Sequence, residues 1–409
     1  MCGSRGSVLR SVAFFPLLAI SLLSARQVQA QDGIVVVNAS MSVDYGRTIT
    51  FQAHISAPLP IKQASILFRS INEDVTRVEN IQIAKDGSTS FTYDTSLNVF
   101  PPFSLIVFWF QATLADDQTY TSSPITFAYN DNRFTWRETI QGNVVVHWYA
   151  GDEAFGAAGL NAAATGMTAI NEIIPASLDD PVNVYIYSNV EDLKGALEMG
   201  GLEWARGHAN PDLGVVLVAI APGTGQFIEM ETKIPHELAH LAMYRALSHG
   251  YARQPAWLLE GFASTMELHP NPDYAQALQI ASRNDSLLSF EELCASFPAD
   301  AGNAFLAYAQ SQSFVSYIRS TYGGSGLGRL TDSYADGFSC ELGVTNALGT
   351  SLGQLEGRWR ETALGQNVVG VAARNLSPFL LLMALVLIVP LWGTIDMLRQ
   401  RRKHAQRSK

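Results

Sequence analysis

The stretch 233-KIPHELAH-240 places His236 and His240 four residues apart, with Glu237 directly after the first of them. If 232–247 is a helix, Pro235 falls in its first turn, where proline is tolerated because its missing N–H would have no intrahelical partner there. Residues i and i+4 share a helix face, so the two imidazoles project side by side. That spacing can hold one zinc ion. Glu237 turns toward the same space; it is badly angled for a ligand but well placed to deprotonate a metal-bound water. Two histidines on a helix face are also compatible with an ordinary helix, so the third ligand decides.

No glycine or further histidine lies close behind, since 241-LAMYRA-246 offers neither. The next helix reads 255-PAWLLEGFASTMEL-268, with Pro255 at a natural start and Glu260 twenty positions after His240. Trp257, Leu258, Leu259 and Phe262 flank that glutamate, so its carboxylate is expected to be buried. An unpaired buried carboxylate is costly and needs a cation. The expected zinc ligands are therefore His236, His240 and Glu260, with Glu237 as the base. Ser264 and Glu267 follow one and two turns after Glu260, and either is a candidate partner for a zinc-binding histidine.

HELAH followed by WLLEGFA resembles the gluzincin metallopeptidases of the thermolysin-like (peptidase MA-like) superfamily, whose second motif often reads W-L-x-E-G-F-A. Residues 257–263 fit it, with Leu259 at the free position. The stretch 304-AFLAYAQSQSFVSYI-318 is similar to the segment that follows the active site in exported members. The resemblance spans about 131–365. It implies a zincin-like α+β domain, Zn2+ as cofactor, the ligand set above and a base role for Glu237. The metzincin type is excluded by 241–246. The aminopeptidase branch carries Gly-x-Met-Glu-Asn before its HExxH, and 214-GVVLVAIAPGTGQ-226 has no such motif, so exopeptidase specificity does not carry over. That stretch reads as a strand, either an exposed edge that pairs with an extended substrate or an ordinary core strand. Many gluzincins stabilise the oxyanion with a tyrosine or histidine. Tyr308 is the candidate here, its alternative being an aromatic packed with Phe305 and Phe314. His208 and His249 are read as surface or loop residues.

The flanks place this unit. Arg5 and Arg10 precede the apolar run 12-VAFFPLLAISLL-23, and small Ala30 ends the segment, the pattern of a secretory signal over 1–30. Cys2 lies before that run, unlike a lipoprotein cysteine. A second apolar run, 379-FLLLMALVLIVPLWGTI-395, is long enough to cross a bilayer as part of a helix over 378–398. The tail 399-RQRRKHAQRSK-409 is basic, which orients it to the cytoplasm and the rest outward. The 409 residues carry a net charge of −10. Without the three basic residues of the signal and the six of the tail, 18 basic residues face 37 acidic ones, a net of −19. Such a chain has no electrostatic support for a nucleic-acid partner and little for adhesion to anionic lipid.

Between the flanks, 31–130 is a series of short β-rich runs, 34–43, 48–56, 64–70, 90–96, 104–114 and 124–130. Turn residues such as Asp86-Gly87 and Pro101-Pro102 separate them. They predict an antiparallel β-sandwich, immunoglobulin- or fibronectin-like, serving as a spacer or a surface for protein contacts. From 131 to 365 the pattern is mixed, a hairpin in 131–152, a helix over 154–176, a strand at 182–188 and a helix at 190–199, then mostly helices, and 366–377 is a linker. The fold class is α+β. Cys294 and Cys340 form either one disulfide, as export favours, or two buried thiols. Asn38, Asn284 and Asn375 head glycosylation sequons.

The resulting expectation is a membrane-anchored extracytoplasmic zinc metallopeptidase acting on a peptide or protein substrate. Its rivals are a zinc-binding scaffold that has lost its groove, and a zinc hydrolase acting on a non-peptide bond. A complete His–Glu–His–Glu set argues against the first, because a degenerate site is free to lose Glu237.

Overall fold

The structure is a computed structural model; it describes residues 34–96, 100–175, 178–199, 207–366 and most of 376–398. The expected signal, the basic tail, Asn375 and most of the linker lie outside these residues.

The amino-terminal strands are β1 (Val35–Asp44), β2 (Thr48–Ser56), β3 (Ile61–Ser70), β4 (Arg77–Ile81), β5 (Ser88–Asp94), β6 (Ser104–Leu114), β7 (Thr119–Thr121) and β8 (Ile125–Tyr129). One antiparallel sheet runs β1-β2-β5; the other runs β4-β3-β6-β7, with β8 also on β6. Alternate residues of each strand point inward, and the two inner faces meet through Phe51, Phe68 and Phe108, whose rings lie 5.0–5.1 Å apart around Phe51. The sequence pattern shows neither β4 nor β7. The first is short and polar, the second only three residues long.

A third sheet follows, with β9 (Arg137–Gln141), β10 (Val144–Trp148), α1 (Glu153–Asn171), β11 (Val182–Tyr187), α2 (Val190–Met199), β12 (Gly207–Asn210) and β13 (Val215–Ala219). Its order is β12-β13-β11-β10-β9, parallel at β10/β11 and β11/β13 and antiparallel at both edges. Strand β13 therefore has partners on both sides and is buried throughout. It is a core strand, and the edge strand beside it is β12. Strand pairing is non-local, so the apolar run at 215–219 gave no sign of which strand would flank it.

The two faces of this sheet go to two different cores. Val146, Val184, Ile186, Val216 and Val218 join the helical core. Tyr185, Tyr187, Leu217 and Ala219, one residue out of phase, join a core with the sandwich aromatics and with Leu193 and Leu197 of α2. Phe103 stacks on Tyr185 at 3.5 Å. The Tyr45 hydroxyl donates to Ala196 O (2.9 Å), and Tyr187 donates to the fully buried Asp131 (3.0 Å), which also holds Arg133.

The rest is helical, α3 (Gln226–Leu247), a 3-10 turn (Ser248–Arg253), α4 (Ala256–Thr265), α5 (Asp273–Asn284), α6 (Ala301–Ala335), α7 (Cys340–Leu348) and α8 (Leu352–Leu364). Helix α3 begins six residues before the expected 232. Gly223 and Gly225, at φ 134° and 91°, turn the chain off β13, and 226-QFIEMET-232 then continues as helix, which leaves Pro235 inside rather than in the first turn. Cys294 and Cys340 are joined, Cα atoms 6.2 Å apart. Residues 376–395 form a helix of mean hydropathy 2.3 with none of its length buried, long and apolar enough to cross a bilayer.

Helix α4 packs tightly on α6 because residue 261 has no side chain. A Cβ there would stand 2.5 Å from Ser311 O and 2.6 Å from Val315 Cγ2. Gly261→Ala is expected to force the two backbones apart and cost about 1–3 kcal/mol, read as a lower urea midpoint. An unchanged midpoint would show that this packing relaxes freely.

Candidate metal centre

The site begins with the proline that the helix contains. A proline at 235 has no N–H to give the carbonyl of Glu231 four residues earlier. That carbonyl accepts instead from the Leu268 N–H (2.9 Å), just past the end of α4. Two side chains reinforce the crossing, Thr232 Oγ1 donating to His269 O (3.0 Å) and His269 Nε2 lying 2.6 Å from Glu231 Oε2. On the other side Gly166 of α1 leaves room for the Pro235 ring; a Cβ there would lie 2.9 Å from it. The result sets the residues after Glu260 against the turn that carries His236.

The three expected ligands converge. One ligand atom from each of His236, His240 and Glu260 lies within 4.8 Å of the others. His236 Nε2 is 3.4 Å and His240 Nε2 is 3.6 Å from the same Glu260 oxygen. The outward nitrogens are held too. His236 Nδ1 meets Glu267 Oε1 at 3.0 Å, and His240 Nδ1 meets the Tyr251 hydroxyl at 3.1 Å. A carboxylate can only accept, so Nδ1 of His236 carries a proton, and in the neutral ring Nε2 is the nitrogen left to ligate. Glu260 is 26% exposed; its apolar neighbours bury the helix back while the carboxylate opens to the cluster.

Of the two candidates for a supporting role, the structure brings Glu267 to the site and leaves Ser264 away from both histidines, its hydroxyl buried without a hydrogen-bond partner. Tyr251 was not foreseen. Its signal was slight: it is the only phenylalanine, tyrosine or tryptophan in 248-SHGYARQP-255, the link that must turn back from α3 to α4. The Tyr308 ring lies 6.4 Å from that of His236 and 4.9 Å from that of Phe297. Phe305 and Phe314 stack on other rings. His249 is exposed in the 3-10 turn, and His208 lies on β12.

Charge explains what this cluster needs. Three carboxylates, Glu237, Glu260 and Glu267, surround two imidazoles, so even two protonated histidines leave an excess of negative charge. Burial disfavours the charged form of His236, yet its bonds to Glu260 and Glu267 outweigh that and push its pKa up to about 10. Burial likewise opposes the Glu260 carboxylate, but the imidazoles, His240 first, hold it well below the usual range. Burial raises Glu237, against the pull of His240 and His236. Burial, then Glu260 and Glu237, raise the Tyr308 hydroxyl and keep it protonated. Two nitrogens and a carboxylate oxygen facing one point, backed by hydrogen-bonded outer partners, suit zinc.

Among solved structures the chain is similar to an M1 zinc metallopeptidase from Deinococcus radiodurans. A glutamate-to-alanine mutant bound to a Tyr-Ser-Ala substrate aligns with a TM-score of 0.33 and 13% identity, over 81% of this chain and 94% of that one. A second structure of the same mutant aligns with a TM-score of 0.31 and 12% identity, over 77% and 90%. A β-1,3-glucan binding domain of carbohydrate-binding module family 56 aligns with a TM-score of 0.17 and 12% identity, over 23% and 96%. No curated protein matches the chain. Residues 162–365 match the family described as the Peptidase MA superfamily; they form a Peptidase MA-like domain, and the match supports a gluzincin-type zinc peptidase.

Proposed function

We propose that this chain is a membrane-anchored, extracytoplasmic zinc metallopeptidase that hydrolyses peptide bonds in a peptide or protein substrate. The observation that carries the reading is the convergence of His236, His240 and Glu260 within 4.8 Å, with Glu237 adjoining on the same helix. In this reading 131–365 is the gluzincin-like catalytic domain and 31–130 an immunoglobulin- or fibronectin-like sandwich. The sandwich offers a surface for protein contacts. The helix at 376–395 supports an anchor over 378–398, and the signal over 1–30 with the basic tail at 399–409 supports the outward orientation.

His236, His240 and Glu260 would hold the zinc ion through two Nε2 atoms and one carboxylate oxygen. Bound there, zinc supplies Lewis-acid polarisation and acidifies water. Glu237 takes the proton of the attacking water through its carboxylate. Its raised pKa brings it nearer neutral pH, where a general base works best, and lets it return that proton to the leaving amine. Tyr308 keeps its hydroxyl proton and donates it as a hydrogen bond to the developing oxyanion. Glu267 orients His236.

Digestion of a peptide library by the full chain in detergent tests the reading. Glu237→Gln is expected to keep its zinc and fold and to lose about 10²–10⁴-fold in kcat; unchanged turnover would sink the mechanism. His240→Ala is expected to purify without zinc, and full occupancy by elemental analysis would refute the ligand set. With its pKa at about 10, His236 is protonated at pH 7 in the metal-free chain. A ligating imidazole must be neutral, so zinc uptake at pH 7 is expected to release that proton, and affinity to rise about tenfold per unit toward pH 10. Calorimetry in buffers of different ionisation enthalpy reads the proton; pH-independent uptake would count against this charge state.

A further inference from the structure

The two expected zinc-binding histidines rest on unlike partners. His236 Nδ1 meets the Glu267 carboxylate at 3.0 Å, and His240 Nδ1 meets the Tyr251 hydroxyl at 3.1 Å. We propose that Tyr251 is a positioning residue that fixes the ring of His240 and the proton on its Nδ1, so that Nε2 faces Glu260 as an open donor. The proposal rests on the zinc reading above and extends it to a residue outside both sequence motifs.

The location of the hydroxyl is determined by the fold around it. Tyr251 lies in the 3-10 turn Ser248–Arg253, which directly follows α3. That turn is clamped to the end of α6 at three points. Gly250 lies against Ala335, where a Cβ would meet the alanine Cβ at 2.4 Å. Arg253 Nη1 donates to Ala335 O at 2.6 Å. Gln254 Nε2 donates to Gly250 O at 3.2 Å and to Thr331 O at 2.9 Å. The Tyr251 ring also packs edge-on against Tyr244, one turn after His240 on α3, at 5.5 Å. With the turn fixed on α6 and the ring against Tyr244, the hydroxyl stands at His240 Nδ1.

The zinc reading sets the direction of the bond: an Nε2 that ligates leaves the ring proton on Nδ1, so the Tyr251 oxygen accepts it. A phenol keeps its proton at neutral pH. A neutral phenol oxygen accepts one proton while its own O–H remains a donor. It therefore orients His240 without adding a fourth negative charge to a cluster that already has three carboxylates. The pair of partners makes the two ligands unequal, one imidazole backed by a charge and the other by a dipole.

The test uses the full chain in detergent, stripped of metal, with zinc and cobalt as probes. Tyr251→Phe removes one oxygen and keeps the ring on Tyr244. Zinc affinity, measured by competition with a chromophoric chelator, is expected to fall about 10–100-fold, and the visible spectrum of bound cobalt to shift. Tyr244→Phe removes a hydroxyl that bonds Asp212 and not His240; it is expected to keep wild-type affinity and spectrum. Wild-type affinity and spectrum in Tyr251→Phe would overturn the proposal. So would equal losses in both variants, since packing alone would then explain them. A wild-type chain that takes up neither metal would instead refute the zinc reading beneath it.

Discussion

A single missing hydrogen bond organises the site. Pro235 leaves the carbonyl of Glu231 open within a helix, and a buried backbone acceptor without a donor is costly. The Leu268 N–H fills it from outside the helix. This bond can form only if α4 crosses α3 at one place and at one height, and that crossing carries Glu267 to His236. Proline in a helix interior normally weakens the helix. Here the same defect makes a docking point, and Gly166 on α1 accommodates the ring from behind.

The electrostatics depend on that crossing. Glu260 and Glu267 approach the histidines from the same segment of chain, one on the inward nitrogens and one on an outward nitrogen. Neither carboxylate would be stable so close to the other and to Glu237 without compensating positive charge. In the metal-free cluster a proton on His236 supplies part of it. The elevated pKa of that histidine and the depressed one of Glu260 are two views of the same attraction.

What was legible in the sequence was local. His236, Glu237 and His240 share one helical turn and a half, and Glu260 sits in a short motif whose apolar neighbours mark the buried side, so the structure brings together residues that spacing had already grouped. Glu267 and Ser264 could not be separated, because both lie on the same segment and only the crossing with α3 chooses between them. Proline misled the reading of where α3 begins, since the first turn is its usual place and the preceding 226-QFIEMET-232 carries no strong helix-start signal besides its glycines. Tyr251 was invisible for a different reason. Its position follows from a clamp to α6 some eighty residues later, and nothing in 248–255 records that contact. The interior place of β13 was hidden in the same way, by a partner strand recruited on each side.

The central strands of the sheet behind the metal cluster, β10, β11 and β13, are covered on both faces. One side joins the helical core, and the other is shared by α2 with Phe103, Tyr45 and Tyr129 of the amino-terminal region. A gene fragment that encoded residues 131–365 alone would strip the stacked Phe103 from Tyr185 and the Tyr45 hydroxyl from Ala196. The sandwich and this sheet therefore do not behave as beads on a string, open to shuffling one at a time. Their shared aromatic seam makes the pair the smallest unit that recombination could move intact.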